Sequence, residues 1–373
     1  MASGFSLADQ LFNEESLGDL AAEYAAGVAG FDGARFLAEA LGGMAGRGLL
    51  ERLEWIADCI EAQLSPDFAV MAGQIEDAMP PMLDDGREDD DFGRFIHAVP
   101  GILAVRHGLE DHRERALDLI YVATKRFSME YYIRPFLNRW PDQTLARLEI
   151  WVRDENYHVR RLVSEGTRPR LPWAKNIEID PLEPLRFLDV LHADGTRYVT
   201  RSVANHLNDI AKIAPDEVLG RLRHWRDEGR QTEAEMAWMT RHALRTLVKQ
   251  GHVGALALLG YRADVAVEAE VRVPERVAIG DVLEIAVRLS AKVDLPVLVD
   301  YVIWFRCANG REGRKVFKLK QGVVRGGKPL ELKKNHRLMG NATTYRLVPG
   351  VHRVEVQVNG RILAQATFDL VAG

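Results

Sequence analysis

A spacing of 40 residues between arginines is the sequence feature that most limits how this chain can fold. Arg161, Arg201 and Arg241 stand at equal intervals, since 201 − 161 = 40 and 241 − 201 = 40. Each lies in a stretch that has the apolar spacing of a helix. A repeat of about 40 residues with two helices per unit is typical of HEAT-like repeats. The middle of the chain is therefore predicted to be a stack of helix pairs.

Residues 151–173 (WVRDENYHVRRLVSEGTRPRLPW) are the centre of this pattern. On a helix with 3.6 residues per turn, Arg161, Glu165 and Arg168 share one face. Pro169 predicts the helix end, because the residue before a proline avoids the α region. The sequence thus predicts a packed helix that holds one carboxylate between two guanidinium groups. Its apolar face is formed by Val159, Leu162, Val163 and Gly166.

Further acids follow the same spacing. Glu130 stands four residues after Arg126, and Asp209 stands four residues after Asn205. For each, an ordinary structural role is the alternative. Arg126 and Glu130 would then be a surface ion pair worth a few tenths of a kcal/mol. Asp209 would bond the next helix, and Asn205 would bridge repeats. Arg160 is expected to make an inter-repeat bond of this kind.

The predicted fold is an all-α HEAT-like repeat solenoid followed by a small all-β sandwich. Helical spacing is present over residues 17–29 and 34–64, and helix pairs continue from residue 112. After Tyr261 the chain becomes valine-rich and alternates with period two. About seven short strands separated by turn residues predict an immunoglobulin-like sandwich. The expected domains are residues 1–261, helical, and 262–373, sandwich.

Charge divides at the same position. Residues 262–373 contain 19 Lys and Arg against 12 Asp and Glu, a net charge of +7. The rest of the chain has 49 − 19 = 30 basic and 54 − 12 = 42 acidic residues, a net charge of −12. Lys318, Lys333 and Lys334 belong to the basic concentration. Such a patch suits contacts with phosphates, although a solvated strand surface is the simpler alternative.

Several functional classes are not indicated. The chain has no CxxC, no HExxH and no glycine-rich phosphate loop after a strand, so neither a metal nor a nucleotide cofactor is expected. The N-terminus does not resemble a signal peptide, and no apolar run is long enough to span a bilayer. Cys59 and Cys307 lie in different regions, which favours a reduced cytoplasmic location. A cytoplasmic protein with no membrane partner is expected.

A carboxylate within an arginine-rich face needs a chemical reason. The arginines can position a phosphate backbone, but a carboxylate helps only against a positive charge. An N-alkylated nucleobase supplies that charge. Cleavage of its bond to the sugar passes through an oxocarbenium-like state, which a carboxylate stabilises while it orients a water molecule. The leaving base is already cationic, so no general acid is required.

Three motifs resemble the AlkC-type DNA alkylation-repair glycosylases, which are relatives of AlkD among the HEAT-like-repeat glycosylases. The motifs are ATKRFSMEYYIRPFL at 123–137, WVRDENYHVRRLVSEGTRPRLPWA at 151–174 and SVANHLNDIAK at 202–212. The resemblance covers residues 1–261, and the strands resemble the immunoglobulin-like extension of one AlkC subgroup. It implies monofunctional excision of 3-methyladenine and 3-methylcytosine from duplex DNA, without a deep base-flipping pocket. The partner is alkylated duplex DNA, and the protein is expected to be a monomer.

The resemblance also implies roles for single residues. Glu165 corresponds to the central catalytic carboxylate, Asp209 to the acid nearest the sugar or the attacking water, and Glu130 to a third acid. Trp173 corresponds to an aromatic contact beside the lesion, where a packing role is the alternative. Arg161 and Arg168 correspond to phosphate clamps. The further residues predicted to contact DNA, which the resemblance itself does not assign, are Arg126, Arg170, Arg201, Lys318, Lys333 and Lys334.

Two other functions remain open at this stage. One is a non-enzymatic HEAT-like scaffold that binds structured DNA or protein partners. For such a binder, acids facing the DNA backbone are a disadvantage, and replacing Glu165 or Asp209 should strengthen binding. The other is a carbohydrate-directed protein, suggested only by the sandwich. Trp304 is flanked by apolar residues and is expected in the core, which leaves the strands without an aromatic platform for sugars.

Overall fold

The computed structural model describes residues 6–84, 86, 92–172, 174, 176–306, 311–340 and 347–373. Within these residues, 16 α-helices precede eight β-strands, and the predicted fold class is confirmed. The helices are α1 Leu7–Leu11, α2 Glu14–Gly27, α3 Gly33–Gly42, α4 Leu49–Glu61, α5 Phe68–Asp77, α6 Val99–Gly108, α7 Arg113–Thr124, α8 Ile133–Arg139, α9 Pro141–Trp151, α10 Tyr157–Gly166, α11 Leu185–Leu191, α12 Arg197–Ile210, α13 Pro215–Glu228, α14 Glu233–Ala243, α15 Arg245–Gln250 and α16 Val253–Leu258. A short 3-10 helix, Phe95–Ala98, precedes α6.

Helix ends differ from the sequence prediction where the chain carries its own stop signals. The helical spacing over residues 34–64 divides into α3 and α4, because the glycine-rich segment 42–48 interrupts it. Residues 151–173 contain one helix, α10, that starts only at Tyr157. Trp151 ends α9 instead, since Asn156 caps α10 by accepting a hydrogen bond from the backbone N–H of His158 at 2.9 Å.

Bonds between successive helix pairs join residues about one repeat apart. Arg160 donates to Asp194 at 2.6 Å, and His242 bonds Asn205 at 2.8 Å. These partners are separated by 34 and 37 residues in sequence. The expected inter-repeat bond of Arg160 is therefore confirmed, and Asn205 makes the bond between repeats that was its alternative role.

The eight strands form two sheets. Their bounds are β1 Val267–Arg272, β2 Arg276–Ala278, β3 Val282–Ala291, β4 Leu295–Arg306, β5 Glu312–Val324, β6 Leu330–Arg337, β7 Gly350–Val358 and β8 Arg361–Val371. The three-stranded sheet has the order β1-β3-β6, and the five-stranded sheet has the order β2-β8-β7-β4-β5. Neighbouring strands are antiparallel except β2 and β8. Both sheets turn apolar side chains into one core that includes Ile285, Tyr301, Val356 and Phe368.

The prediction that Trp304 lies in the core of the sandwich is wrong. It lies on β4 but is only partly buried, and the guanidinium of Arg353 stacks 4.9 Å from its ring centre. The neighbouring residues Ile303 and Phe305 are buried, as their apolar character predicted. The apolar flanks of Trp304 thus misled the prediction, because side chains alternate between the two faces of a strand.

Contacts divide the chain into two compact units. One contains the described residues up to Ile213 together with Trp225–Ala243, and the other contains Ala214–His224 and Leu244–Gly373. The change from helix to strand falls between Leu258 and Val267. The domain boundary at 261/262 stays a prediction. Among the described residues, no helix is both long and apolar enough to cross a membrane.

A candidate active site in the helical repeats

The end of α10 is fixed by two features that the sequence did not reveal. A Cβ on Gly166 would come within 2.5 Å of the Ile133 side chain, so only glycine lets α8 approach this closely. Arg134, which is fully buried, donates to the carbonyl oxygens of Gly166 at 3.0 Å and Arg168 at 2.8 Å. Burial lowers the pKa of Arg134 to about 10, which leaves it charged at neutral pH. The segment that carries Glu165 and Arg168 is therefore anchored.

Glu165 is a buried carboxylate held by two hydrogen-bond donors and one further cation. It is 5% exposed, and its Oε1 accepts from Arg168. Its Oε2 accepts from the Ser202 hydroxyl at 2.6 Å and lies 3.8 Å from Arg161 Nη2. Burial alone would raise the pKa of Glu165, but the charges of Arg161 and Arg168 and the Ser202 hydrogen bond outweigh it and lower the pKa. Glu165 is consequently ionised at neutral pH.

Arg161 connects two of the predicted acids. Its Nη1 donates to Ser128 Oγ at 2.7 Å and to Glu130 Oε2 at 3.3 Å, while Nη2 faces Glu165. Its guanidinium lies over the ring of Tyr198, 4.4 Å from the centroid. Burial would lower the pKa of Arg161, yet the charges of Glu130 and Glu165 raise it above its ordinary value. Glu130 therefore pairs with Arg161, 31 residues away, and not with Arg126.

Arg168 connects the third acid. Its Nε and Nη2 donate to Asp209 Oδ2 at 3.0 and 2.8 Å, while Nη1 donates to Glu165. The other oxygen of Asp209 accepts from Lys212 at 2.9 Å. Asp209 is 5% exposed. The three predicted acids thus form one chain of alternating charges that runs from Glu130 to Lys212.

Behind Glu165 a line of hydrogen bonds crosses from α10 to α12. Ser202 has one hydroxyl proton, so it donates to Glu165 and accepts from Ser164 Oγ at 2.9 Å. His206 donates from Nδ1 to the Ser164 carbonyl at 3.0 Å. Burial lowers the pKa of His206 to about 4, so its ring is neutral at pH 7. Ser202, Ser164 and His206 hold the carboxylate without adding charge.

Glu130 and Glu165 open onto a cleft of about 390 Å³ in the helical unit, whereas Asp209 is not part of its lining. Glu130, Arg161, Glu165 and Ser202 form its polar wall. Three phenylalanines from the segment before α6 and from the α7–α8 connection form an apolar wall: Phe92, Phe95 and Phe127. Phe92 is 57% exposed. The cleft thus combines ionised groups with an apolar aromatic wall, which suits a ligand that has both charge and apolar surface.

The structure brings most, but not all, of the predicted site residues together. Arg201 lines the cleft beside the acids. Arg126 does not join them: it donates to the carbonyl oxygens of Pro80 and Val122, at 3.0 Å each. The surface ion pair of Arg126 with Glu130 is also not formed. Arg170 is exposed just after α10, and Trp173 lies outside the described residues.

Three contributors to the site were missed by the sequence reading: Ser202, Tyr198 and the phenylalanine wall. Ser202 bonds Glu165 across 37 residues, close to the arginine spacing. It also directly follows Arg201, one of the three arginines that are spaced 40 residues apart. That period could have identified Ser202 as a neighbour of the central helix. The phenylalanines are not part of the 40-residue arginine spacing; Phe127 lies in the motif at 123–137, but nothing in its position there indicated a wall of the cleft.

Five basic residues of the predicted patch lie on two edge strands of the sandwich. Lys318 and Lys320 are on β5, and Lys333, Lys334 and Arg337 are on β6; all five are exposed. Each of these strands ends its sheet. The positive charge of the sandwich is thus displayed to solvent. In the described part of the chain, no group of three or more His, Cys, Asp or Glu side chains is arranged to hold a metal ion.

Known proteins resemble the chain over both parts. A family model described as "Uncharacterised protein YhaZ, C-terminal Ig-like domain" matches residues 267–372. The uncharacterized protein YhaZ of Bacillus subtilis (strain 168) is 35% identical over 266 residues, which are 69% of this chain and 72% of YhaZ. The solved structure of the Pseudomonas fluorescens alkylpurine DNA glycosylase AlkC, bound to DNA containing an abasic site analog, matches with a TM-score of 0.83. That match is 32% identical and covers 99% of this chain and 100% of AlkC.

Proposed function

The chain belongs to the family of AlkC and YhaZ, and we propose that it is a DNA N-glycosylase that excises cationic N-alkylated bases from duplex DNA. One observation carries this proposal: Glu165 is ionised although only 5% exposed, and it opens onto the cleft. A buried ionised carboxylate is costly unless partners hold it. A carboxylate in this position can stabilise a positive charge that forms on a bound ligand in the transition state.

The reaction breaks the bond between C1′ of the deoxyribose and the alkylated base. The bonding electron pair leaves with the base and neutralises its positive charge, while C1′ becomes an oxocarbenium-like cation. Water then adds to C1′ and loses one proton. The products are a neutral free base, an abasic site and a proton. No metal, nucleotide or other cofactor takes part in these steps.

We assign the central role to Glu165, which stabilises the cation as it forms. Asp209 is assigned to the sugar or the attacking water, where it could accept the released proton. Glu130 lines the cleft on the other side of Arg161 and adds negative charge. These roles are supported by the shared ion-pair chain and by the burial of both Glu165 and Asp209.

The contacts of Arg161 and Arg168 favour a different role from the phosphate clamps expected from the sequence. Their side chains are only 13% and 11% exposed, and each is bonded to two acids. We propose that these two arginines fix the carboxylates. Phosphate contacts would then come from Arg170, which is exposed, and from Arg201 at the cleft. Arg126 is less suited, because two carbonyl oxygens already engage it.

The sandwich is proposed to add non-specific affinity for DNA. Its exposed lysines, among them Lys318, Lys333 and Lys334, can neutralise phosphates without reading sequence. In this proposal residues 1–261 are the glycosylase domain and 262–373 the DNA-contacting extension. Trp173 keeps its proposed role as an aromatic contact beside the lesion. The active species is proposed to be a monomer in the cytoplasm.

The substrates are proposed to be 3-methyladenine and 3-methylcytosine, and base release tests this directly. Wild-type protein is incubated with duplex DNA treated with a methylating agent, and free bases are identified by chromatography and mass spectrometry. Release of either base, with abasic sites in equal number, is expected. A duplex that carries the neutral lesion 1,N6-ethenoadenine is the matched control and should release nothing. A folded protein that binds the duplex but releases no base would contradict the proposal and favour a non-enzymatic DNA binder.

A further inference from the structure

Arg161 must hold one orientation to serve the site. It reaches Ser128 and Glu130 with one nitrogen and faces Glu165 with the other. An arginine side chain has several rotatable bonds, and fixing them costs up to about 2 kcal/mol of conformational free energy. A further contact that is possible only in this geometry would offset part of that cost. The flat surface beneath the guanidinium is the ring of Tyr198, at 4.4 Å.

The contribution of Tyr198 comes from its ring and not from its hydroxyl. The side chain is 5% exposed, and its hydroxyl oxygen is buried with no hydrogen-bond partner within the described residues. Burial raises the pKa of Tyr198, so the phenol remains neutral. A buried hydroxyl without a partner is a cost to the fold. Tyr198 is thus in a position where its ring, but not its hydroxyl, makes a favourable contact.

The ring is itself held in place by two aromatic neighbours on α10. Tyr157 and His158, at the start of α10, meet it edge to face at 5.9 and 5.7 Å between centroids. Because these residues lie one turn before Arg161 on α10, the ring of Tyr198 is located relative to the helix that carries Arg161. An ordinary core position would need only apolar volume. A cation above the ring needs an aromatic face.

We propose that the ring of Tyr198 is a positioning residue for base excision: it holds Arg161 between Glu130 and Glu165, and so fixes the two carboxylates that face the cleft. The proposal rests on the proposed function for its link to catalysis. Its structural part stands on the Tyr198–Arg161 contact alone. Tyr198 also lines the cleft, but its proposed effect on base excision is exerted through Arg161.

A displaced Arg161 would change the ionisation of Glu165 in a known direction. The groups that face Glu165 from the packed elements are Arg161, Arg168, Arg134, Glu130, Asp209, His206 and Tyr198. Arg161 is the first of the charges that lower the pKa of Glu165. If Arg161 moves away, that pKa rises. Since the ionised carboxylate is the active form, the acid limb of the rate profile should move to higher pH.

The test compares Tyr198→Leu with Tyr198→Phe under single-turnover conditions from about pH 3 to 8, because the lowered pKa of Glu165 places the wild-type acid limb below the ordinary glutamate value. The leucine variant loses the aromatic face, so a decrease of about 5–30-fold in base release is expected, together with an acid limb about 0.5–1 pH unit higher. The phenylalanine variant keeps the ring and should restore the acid limb to its wild-type position. Tyr24→Leu makes the same change at a position 3% exposed in α2, and it should shift neither quantity once the folded fraction is accounted for.

A second readout does not depend on activity. The pKa of Glu165 is measured by carbon NMR titration of protein labelled at the glutamate carboxyl carbons, with Glu165→Gln to assign the signal. A higher pKa in Tyr198→Leu, reversed in Tyr198→Phe, supports the proposal even if wild type releases no base and the proposed function fails. Equal Glu165 pKa values in wild type and Tyr198→Leu would overturn it. Loss of activity and a shift as large in Tyr198→Phe as in Tyr198→Leu would also overturn it, because the hydroxyl would then be the important group.

Discussion

The helical cleft and the β-sandwich use charged side chains in opposite ways. Around the cleft, Glu165, Asp209, Arg161 and Arg168 have side chains that are 5–13% exposed, and each is bonded to an oppositely charged partner. On the sandwich, lysines such as Lys333 stand in solvent on an edge strand. The first arrangement fixes charges at set distances from one another. The second leaves them free to move and open to screening by salt.

The difference in burial indicates that the cleft is suited to catalysis and the sandwich to DNA affinity. Buried ion pairs are poor sources of stability, since desolvation cancels much of the attraction, so their presence indicates another use. Exposed lysines attract a polyanion over long range, but salt weakens that attraction. The cleft is therefore suited to act on a small cation at a defined place. The sandwich is suited to hold a phosphate backbone without choosing a sequence.

Removing a cation from the buried cluster should have the largest effect on stability. Arg168→Met leaves Glu165 and Asp209 without their shared partner, so the free energy of unfolding should fall by about 3–5 kcal/mol. Arg186→Met is the matched control. Arg186 also bonds two acids, Glu149 and Glu183, but its side chain is 47% exposed, so its loss should cost about 1 kcal/mol or less.

Calorimetric unfolding of wild type and both arginine variants measures this contrast. Equal losses in Arg168→Met and Arg186→Met would remove the distinction between a buried and an exposed pair. A loss confined to the Arg168 variant would confirm that the cleft acids depend on burial with a cation. Binding of duplex DNA should be measured on the same samples, since it shows whether the surviving folded protein still recognises DNA.

Asp300 is an exception to the exposure of charged side chains on the sandwich, and it tests the effect of burying a carboxylate that has no close partner cation within the described residues. Asp300 on β4 is 6% exposed, and burial raises its pKa to about 6, although Lys318 and Lys249 act to lower it. Between its unfolded pKa, about 3.9, and the folded value, the folded state binds more protons, so stability falls as pH rises. Asp300→Asn should remove this dependence and stabilise the protein at about pH 7.5 by about 1–2 kcal/mol.

Unfolding at about pH 5 and about pH 7.5 tests the Asp300 prediction. Asp264→Asn is the control, because Asp264 is an exposed acid whose pKa is lowered by hydrogen bonding to Arg262. Its replacement should have a small effect of the opposite sign at neutral pH. If Asp300→Asn destabilises the protein at the higher pH, the charged carboxylate makes a favourable contact that its burial does not suggest.

How much of the site could be predicted depends on how far apart in the sequence the contacting residues lie. Glu165 and its two arginines were predictable, because they are close in sequence: Arg161 and Glu165 lie on α10, and Arg168 follows two residues after its end, although the sequence placed Arg168 within the helix. The pairing of Glu130 with Arg161 was not, since residues four apart look like partners while the actual partner is 31 residues away. Ser202 and Tyr198 act on α10 from α12, and only a repeat alignment could have suggested such contacts. The fold class was easier to predict. The change in apolar spacing from 3.6 residues to two residues can be recognised within short stretches of the sequence.

The smallest expected effects belong to the exposed lysines. The double variant Lys333→Gln and Lys334→Gln should weaken duplex binding several-fold at about 0.15 M salt, and the salt slope should fall by about 0.9 for each phosphate that these side chains neutralise in wild type. Arg272→Gln on β1, at the opposite edge of the same sheet, is the control and should change neither. The rate of base release at saturating protein should stay as in wild type.

Fluorescence anisotropy with a duplex over a range of salt concentrations measures these slopes. An unchanged slope in the double variant would assign the basic strands to solubility and not to DNA. A slower release rate at saturating protein would mean that the strands influence the chemical step. That result would break the separation between affinity in the sandwich and chemistry in the cleft.

The central claim is that the buried carboxylate of the cleft performs the chemistry. The most direct measurement is the single-turnover release of 3-methyladenine from a methylated duplex by wild type, Glu165→Gln and Glu149→Gln, with duplex affinity measured on the same folded samples. Glu149 is an acid on α9 with a side chain that is 45% exposed. The account predicts release at least about 100-fold slower in Glu165→Gln, with equal or tighter binding, and wild-type behaviour in Glu149→Gln. Release by Glu165→Gln within a few-fold of wild type would contradict it.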